Sequence, residues 1–184
     1  PYGAAGAIHG DGALLAYTPH SRDGRTWKRY RGGMASDLWI MDLDGLDAMQ
    51  ITDWEGTDTQ PMWFGNTLYY LSDQGEDNRL NIWKYSPRTK EREQLTFFED
   101  NDIRWPSVGP GYRSQGEIVF QLELPASSSA RGVQVQALDA SGDSLRLYWR
   151  AGEAPADHRV VGRQRLRRRR RRLRPRARRH AAHV

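Results

Sequence analysis

At 184 residues and a formal net charge of +5, the chain is long enough for one ordinary domain. It holds no cysteine, which excludes disulfides and thiolate metal sites, and no apolar run approaches the roughly 18 residues that cross a bilayer. The charge is divided: residues 1–124 carry 12 basic and 19 acidic side chains, residues 125–184 carry 16 and 4, so the positive balance belongs to the second part.

Residues 1–12 lack a charged region followed by an apolar one, so no signal peptide is expected. The start without Met predicts a piece of a longer protein. The glycines at 3, 6, 10 and 12 read as turn residues. No Gly-Lys-Ser/Thr follows them, and the next element is a strand rather than the helix that would hold a phosphate. Ala13–Thr18 is that strand, stopped by Pro19, and residues 20–35 form a long polar loop. Leu38–Leu43 is the next strand, ending at Asp44-Gly45, and Met49–Thr52 is a short one after it. Pro61–Phe64, Thr67–Ser72, Leu80–Tyr85 and Glu93–Thr96 give a second set of four, rich in aromatic and β-branched residues. Ile103–Val108 and Glu117–Gln121 open a third set. Helical periodicity is weak throughout.

The sets repeat. Trp39 and Trp83 lie 44 residues apart, as do Thr52 and Thr96, while Pro61 and Pro106 lie 45 apart. A repeat of this length built from short apolar runs is the signature of a β-propeller blade, a four-stranded sheet set around an axis. The fold class is therefore all-β, a partial β-propeller of about two and a half four-stranded blades over residues 1–122. Trp39 and Trp83 are expected to pack the core, and Trp63 and Trp105 to lie nearer the axis.

After Leu122 the pattern stops. Pro125-Ala126-Ser127-Ser128-Ser129 leads into a mixed stretch, and 11 of the 15 residues from Arg165 to Arg179 are arginine. Residues 123–184 read as a low-complexity, disordered basic tail outside the propeller. Arg, Ala, Pro and Gly all use GC-rich codons, so a reading-frame shift near residue 122 accounts for the change. Taken literally the run would contact phosphates, yet it lacks interleaved aromatics for base stacking, and a nucleic-acid partner is not expected.

No catalytic constellation is visible. There is no Gly-x-Ser-x-Gly elbow and no cysteine nucleophile. His9 and His20 flank a strand and read as solvated loop residues. His180 and His183 have helical ligand spacing without the Glu of a zinc-protease motif. The acidic group at 99–102 lacks the loop of a calcium site. No metal and no cofactor is expected. One basic group stands inside the acidic body: Lys28, Arg29 and Arg31. Arginine binds a carboxylate with a bidentate, charge-assisted pair, so this group could steer the C-termini of peptides. The alternative is a loop that braces neighbouring blades.

The run Trp27-Lys28-Arg29-Tyr30-Arg31-Gly32-Gly33, followed by Asp37-Leu38-Trp39-Ile40-Met41-Asp42-Leu43, resembles the N-terminal propeller of tricorn-type serine proteases. So do Gln50-Ile51-Thr52-Asp53, Asp58-x-x-Pro61-Met62-Trp63, Leu68-Tyr69-Tyr70-Leu71-Ser72-Asp73 and Arg104-Trp105-Pro106-Ser107. The likeness covers roughly residues 7–122. The blade repeats would also suit TolB-like and prolyl-oligopeptidase propellers. The resemblance implies a six-bladed ring at the start of an oligopeptide-degrading enzyme. A second propeller and a catalytic region with a PDZ domain would come after it, in a protein that is a homo-oligomer. No family catalytic residue maps onto this chain, which is expected to be inactive and to serve as scaffold or peptide channel. Its partners would be peptides, the remaining blades and the peptidase domains, with no membrane. A cytoplasmic location is expected, with a periplasmic one open. A TolB-like protein-interaction module is the alternative function.

Overall fold

The computed structural model describes residues 3–20, 28–109 and 118–122, and the backbone of three further strands at 134–138, 144–149 and 163–165. Trp27, His158, His180, His183 and residues 166–184 of the arginine run lie outside the described residues, and with them the expectations placed there. Every regular element among the described residues is a β-strand. No helix among them is long and apolar enough to cross a membrane.

The strands form three antiparallel sheets in chain order. The first holds β1 (Ala4–Ile8), β2 (Leu14–Thr18), β3 (Trp39–Asp42) and β4 (Ala48–Gln50). The second holds β5 (Asp58–Phe64), β6 (Thr67–Ser72), β7 (Asn81–Tyr85) and β8 (Arg92–Gln94). The third holds β9 (Ile103–Val108), β10 (Ile118–Leu122), β11 (Gln134–Leu138), β12 (Ser144–Trp149) and β13 (Arg163–Arg165). Each is a meander in which sequence neighbours pair, the arrangement of a propeller blade. The first strand of the second sheet, β5, contacts both β1 and β9, the first strands of its neighbours, which marks these as the inner, axial strands.

Two features differ from the sequence expectation. The glycine-rich start is not all turn: β1 contains Gly6, which pairs with Tyr17 beside a bulge. The third blade also runs past Leu122. There β11 pairs with β10 and β12 with β11, completing a four-stranded meander to which β13 adds an edge. The local reason lies in the sequence: Val133, Val135 and Ala137 alternate with polar residues, as do Leu145, Leu147 and Trp149. That period of two is masked by the arginine-rich composition around it.

The repeat is legible atom by atom. Thr52 Oγ1 accepts the Leu38 amide at 2.9 Å, and Thr96 Oγ1 accepts the Ile82 amide at 2.8 Å. Gln50 Nε2 donates to Thr52 O and Gln94 Nε2 to Thr96 O, at 2.7 and 2.8 Å. Both pairs secure the short outer strand where its ladder has ended, each bond adding about 1 kcal/mol net. Leu46 and Lys90, also 44 residues apart, take φ of 58° and 60° in the β3–β4 and β7–β8 turns. The inner strands β5 and β9 share a bulge at Gln60-Pro61 and Trp105-Pro106, where φ is 52° and 50° before the proline. A bulge there bends the inner strand and breaks its ladder beside the axis.

The core is the pair of seams between sheets. Ala16, Leu38 and Ile40 of the first sheet meet Leu68, Tyr70 and Tyr85 of the second. Met62, Tyr69, Leu71, Leu80, Ile82 and Leu95 of the second meet Ile103, Ile118, Phe120 and Leu122 of the third. Strand β6 is buried on both faces because a sheet packs on each side of it. Its run Leu-Tyr-Tyr-Leu therefore shows no alternation, as expected of a central layer.

Candidate functional site

The inner strands end on one side of the molecule in a cleft of about 550 Å³. Its walls are Ile8, His9 and Asp11 after β1, Trp63, Phe64 and Asn66 at the end of β5, and Val108 and Gly109 after β9. The wedge arises where the β1–β2 and β5–β6 turns meet the end of β9 while the twisted sheets splay apart. His9 sets its ring edge-on to Trp63, with centroids 4.9 Å apart and an 86° interplanar angle. Trp63 Nε1 donates to Ala7 O at 3.1 Å, which ties β5 to β1 and fixes the indole. His9 Nδ1 lies 2.6 Å from Asp11 Oδ1. The Asp11 carboxyl sits below its ordinary range because the Ala13 amide donates to it, with His9 adding to the effect. The cleft thus offers an aromatic wall and a polar rim of one imidazole, one carboxylate and one amide.

His9 is therefore a wall residue on Trp63, with its side chain only 12% exposed, rather than a solvated loop residue. Trp63 lines the cleft as the axial reading expected. Trp105, on inner strand β9, is 68% exposed. Trp83 packs partly buried against the first seam.

At the opposite ends of the inner strands stands the basic group. Arg31 Nη1 donates to Asp73 Oδ1 at 3.1 Å, and its Nη2 donates to Asn78 Oδ1. Its guanidinium carbon lies 4.7 Å from the centroid of Trp54. The same carboxylate oxygen accepts Trp54 Nε1 at 2.9 Å and the Thr57 amide at 2.8 Å. Arg29 Nε donates to Asn78 O at 3.2 Å, and its Nη2 is 3.9 Å from Asp102 Oδ2. Asp102 Oδ1 in turn accepts the Leu80 amide at 3.0 Å, so the acidic group at 99–102 includes a structural carboxylate. The loop after β2 is thereby pinned to the β6–β7 loop and to the start of β9. Lys28 lies exposed at the head of this loop.

Gly56 carries no sequence signal of its own, and Asp58, which opens the Asp58-x-x-Pro61 motif, gives no sign there of its burial. A Cβ on Gly56 would collide with Arg31 Nη1, Asp73 Oδ1 and Trp54 Nε1, so glycine is what lets the guanidinium reach its carboxylate. Asp58, at the start of β5, is fully buried, and neither carboxylate oxygen has a hydrogen-bond partner within the length and angle limits of a real bond. Burial pushes its carboxyl up to about 7. Asp37 and Asp73 push the same way, and the nearby Ser72 and Thr52 hydroxyls oppose them. Among the described residues no group of three His, Cys, Asp or Glu is placed to hold a metal ion.

Residues 1–124 match the family described as the tricorn protease N-terminal beta propeller domain. The chain belongs to that family. This tricorn-type propeller is 37% identical over 75 residues to tricorn protease homolog 1 of Streptomyces coelicolor, a match spanning 40% of the chain and 7% of that protein. It resembles the crystal structure of the tricorn protease with a TM-score of 0.56 at 21% identity, covering 80% of this chain and 13% of that one. TolB from Acinetobacter baumannii gives 0.57 at 19% identity over 80% of this chain and 32% of that one. A putative TolB from Agrobacterium tumefaciens gives 0.52 at 19% identity, over 78% and 63%. The structural likenesses show the shared propeller fold. The tricorn-type propeller spans a small fraction of the tricorn proteins it matches.

Proposed function

We propose that this propeller serves a tricorn-type serine peptidase as scaffold and peptide-guiding surface, with hydrolysis carried by other parts of a longer protein. The supporting observation is the axial cleft, in which His9, Asp11, Trp63 and Asn66 surround the ends of the inner strands. An extended peptide has an amide-rich backbone and intermittent apolar side chains. A tryptophan wall beside a carboxylate and a carboxamide suits both, and Asp11 suits the peptide's amino terminus. In this reading the Lys28, Arg29 and Arg31 group braces the blades first, and any attraction of peptide carboxylates is secondary to that. The cysteine-free composition suits action in the reducing cytoplasm.

The test is anisotropy of labelled short oligopeptides titrated with the chain, beside the Trp63→Ala variant. Saturable binding by the parent that Trp63→Ala abolishes is the expected result, with no hydrolysis of the peptide. Binding untouched by Trp63→Ala would remove the cleft from the reading. Capture of folded protein domains but not of peptides would favour an interaction module instead.

A further inference from the structure

The cleft is charged in one sense only. Among the described residues that line it, Asp11 is the one carboxylate, and no lysine or arginine stands with it. The carboxylate is fixed in place, because Oδ1 accepts the Ala13 amide at 2.9 Å and lies 2.6 Å from His9 Nδ1. The same two contacts hold its carboxyl below the ordinary range, so it is ionised at neutral pH. Its side chain is 58% exposed and open to an incoming cation. The guanidinium groups lie elsewhere: Arg29 and Arg31, at the opposite ends of the inner strands, are turned onto Asp102, Asp73 and Asn78. Beside Asp11 the wall is apolar, formed by Trp63, Phe64, Ile8 and Val108. The Trp63 indole is held by its bond to Ala7 O and by the edge-on ring of His9. A volume of about 550 Å³ suits the end of a peptide rather than a folded partner, since small-ligand sites run to about 300–1,000 Å³.

We propose, resting on the peptide-guiding reading of this cleft, that it is an amino-terminus site: the free α-ammonium group of an oligopeptide sits on Asp11 and its apolar first side chain lies against Trp63. An ammonium group facing a carboxylate makes a charge-assisted hydrogen bond, stronger than a neutral one. The opposite end of a peptide is excluded by the same chemistry, because its carboxylate would meet Asp11 with no guanidinium or lysine ammonium to offset the repulsion. A first side chain that is acidic meets the same repulsion, and an acetylated amine brings no charge at all. The cleft thereby gives a bound peptide a direction, amino end inward.

Three peptides of one length, labelled near the carboxyl end so that the amino end stays free, test this by anisotropy with the 184-residue chain. One begins with free leucine, one is its N-acetylated form, and one begins with free aspartate. The free leucine peptide should bind tightest, and acetylation or the aspartate should weaken binding about tenfold or more. Asp11→Asn keeps an oxygen for the Ala13 amide, so the turn stays closed. It should weaken the free leucine peptide by a similar factor and leave the acetylated one unchanged. Equal binding of the free and acetylated peptides, both still abolished by Trp63→Ala, would overturn the amino-terminus site and leave the peptide-guiding reading standing. A preference for the free amine that survives Asp11→Asn would overturn it as well, by placing the recognition elsewhere. Binding of none of the three would overturn both.

Discussion

Asp58 sets the main pH response. Its folded-state pKa of about 7 lies above the ordinary carboxylate range near 4, so between those values the folded chain holds a proton that the unfolded chain has released. Its contribution is therefore fully present below about pH 4 and is lost as pH rises through about 7, a change of roughly 4 kcal/mol at most. Asp37 is shifted the same way by burial and by Asp53, and adds to the slope. Asp58→Asn should flatten the urea midpoint between pH 4 and 7 and raise it at pH 8. A slope unchanged by the substitution would remove Asp58 as its source. Gly56→Ala should cost about 2 kcal/mol or more, because its methyl displaces Arg31 from Asp73 and Trp54 at once. Chemical denaturation of the pair of proteins checks it. Gly56 does not stand out in the sequence and the motif that Asp58 opens does not announce its burial, since burial of a single Asp and the approach of an arginine to one glycine are set by chain segments far from them.

At the level of elements, the outer hairpins repeat a strained turn. Leu46 and Lys90 occupy the left-handed region, which costs a non-glycine residue on the order of 1 kcal/mol. Lys90→Gly should therefore raise stability by about 0.5 kcal/mol, the relief of strain outweighing the entropy gained by the unfolded chain. A thermal midpoint that falls instead would mean the Lys84–Glu93 hairpin pairing depends on Lys90 in some other way. The strands themselves are largely readable: β2, β3, β5 to β7, β9 and β10 lie where apolar and β-branched runs place them, while β4 and β8 lie one or two residues ahead of the runs that announce them. Strand β1 escapes a sequence reading because Gly and Ala carry almost no strand signal, and pairing with β2 decides it. Strands β11 and β12 escape it because composition outweighs their alternation.

For the molecule as a whole, stability is concentrated in seams rather than in any one sheet. Tyr70 is fully buried in the first seam with its hydroxyl unpartnered, and Ala16 opposite it is small enough to admit the ring. Tyr70→Ala should cost about 3–5 kcal/mol and loosen the first blade from the second, whereas Tyr70→Phe should be near neutral because it removes a hydroxyl that makes no bond. Hydrogen exchange resolved by residue would show β2 and β3 losing protection in Tyr70→Ala ahead of β6 and β7. Uniform loss across all three sheets would instead mean a single cooperative core.

The sequence by itself determined the repeat and its direct consequences. Spacings of 44 and 45 residues give blades, and the paired Thr52 and Thr96 mark the outer-strand bonds, because each depends on local pattern alone, whereas Trp39 and Trp83, expected in the core, are only half-buried and other side chains fill the seams. It also singled out Arg29 and Arg31 from the acidic body, though not what they do. The tertiary structure decided that they spend their charge on Asp73, Asn78 and Asp102 of later loops. It also decided that His9 joins Trp63 across 54 positions of chain and that Asp58 is sealed from water. Those outcomes rest on which blade packs beside which, and proximity between blades is a property of the assembled arc that no single repeat contains.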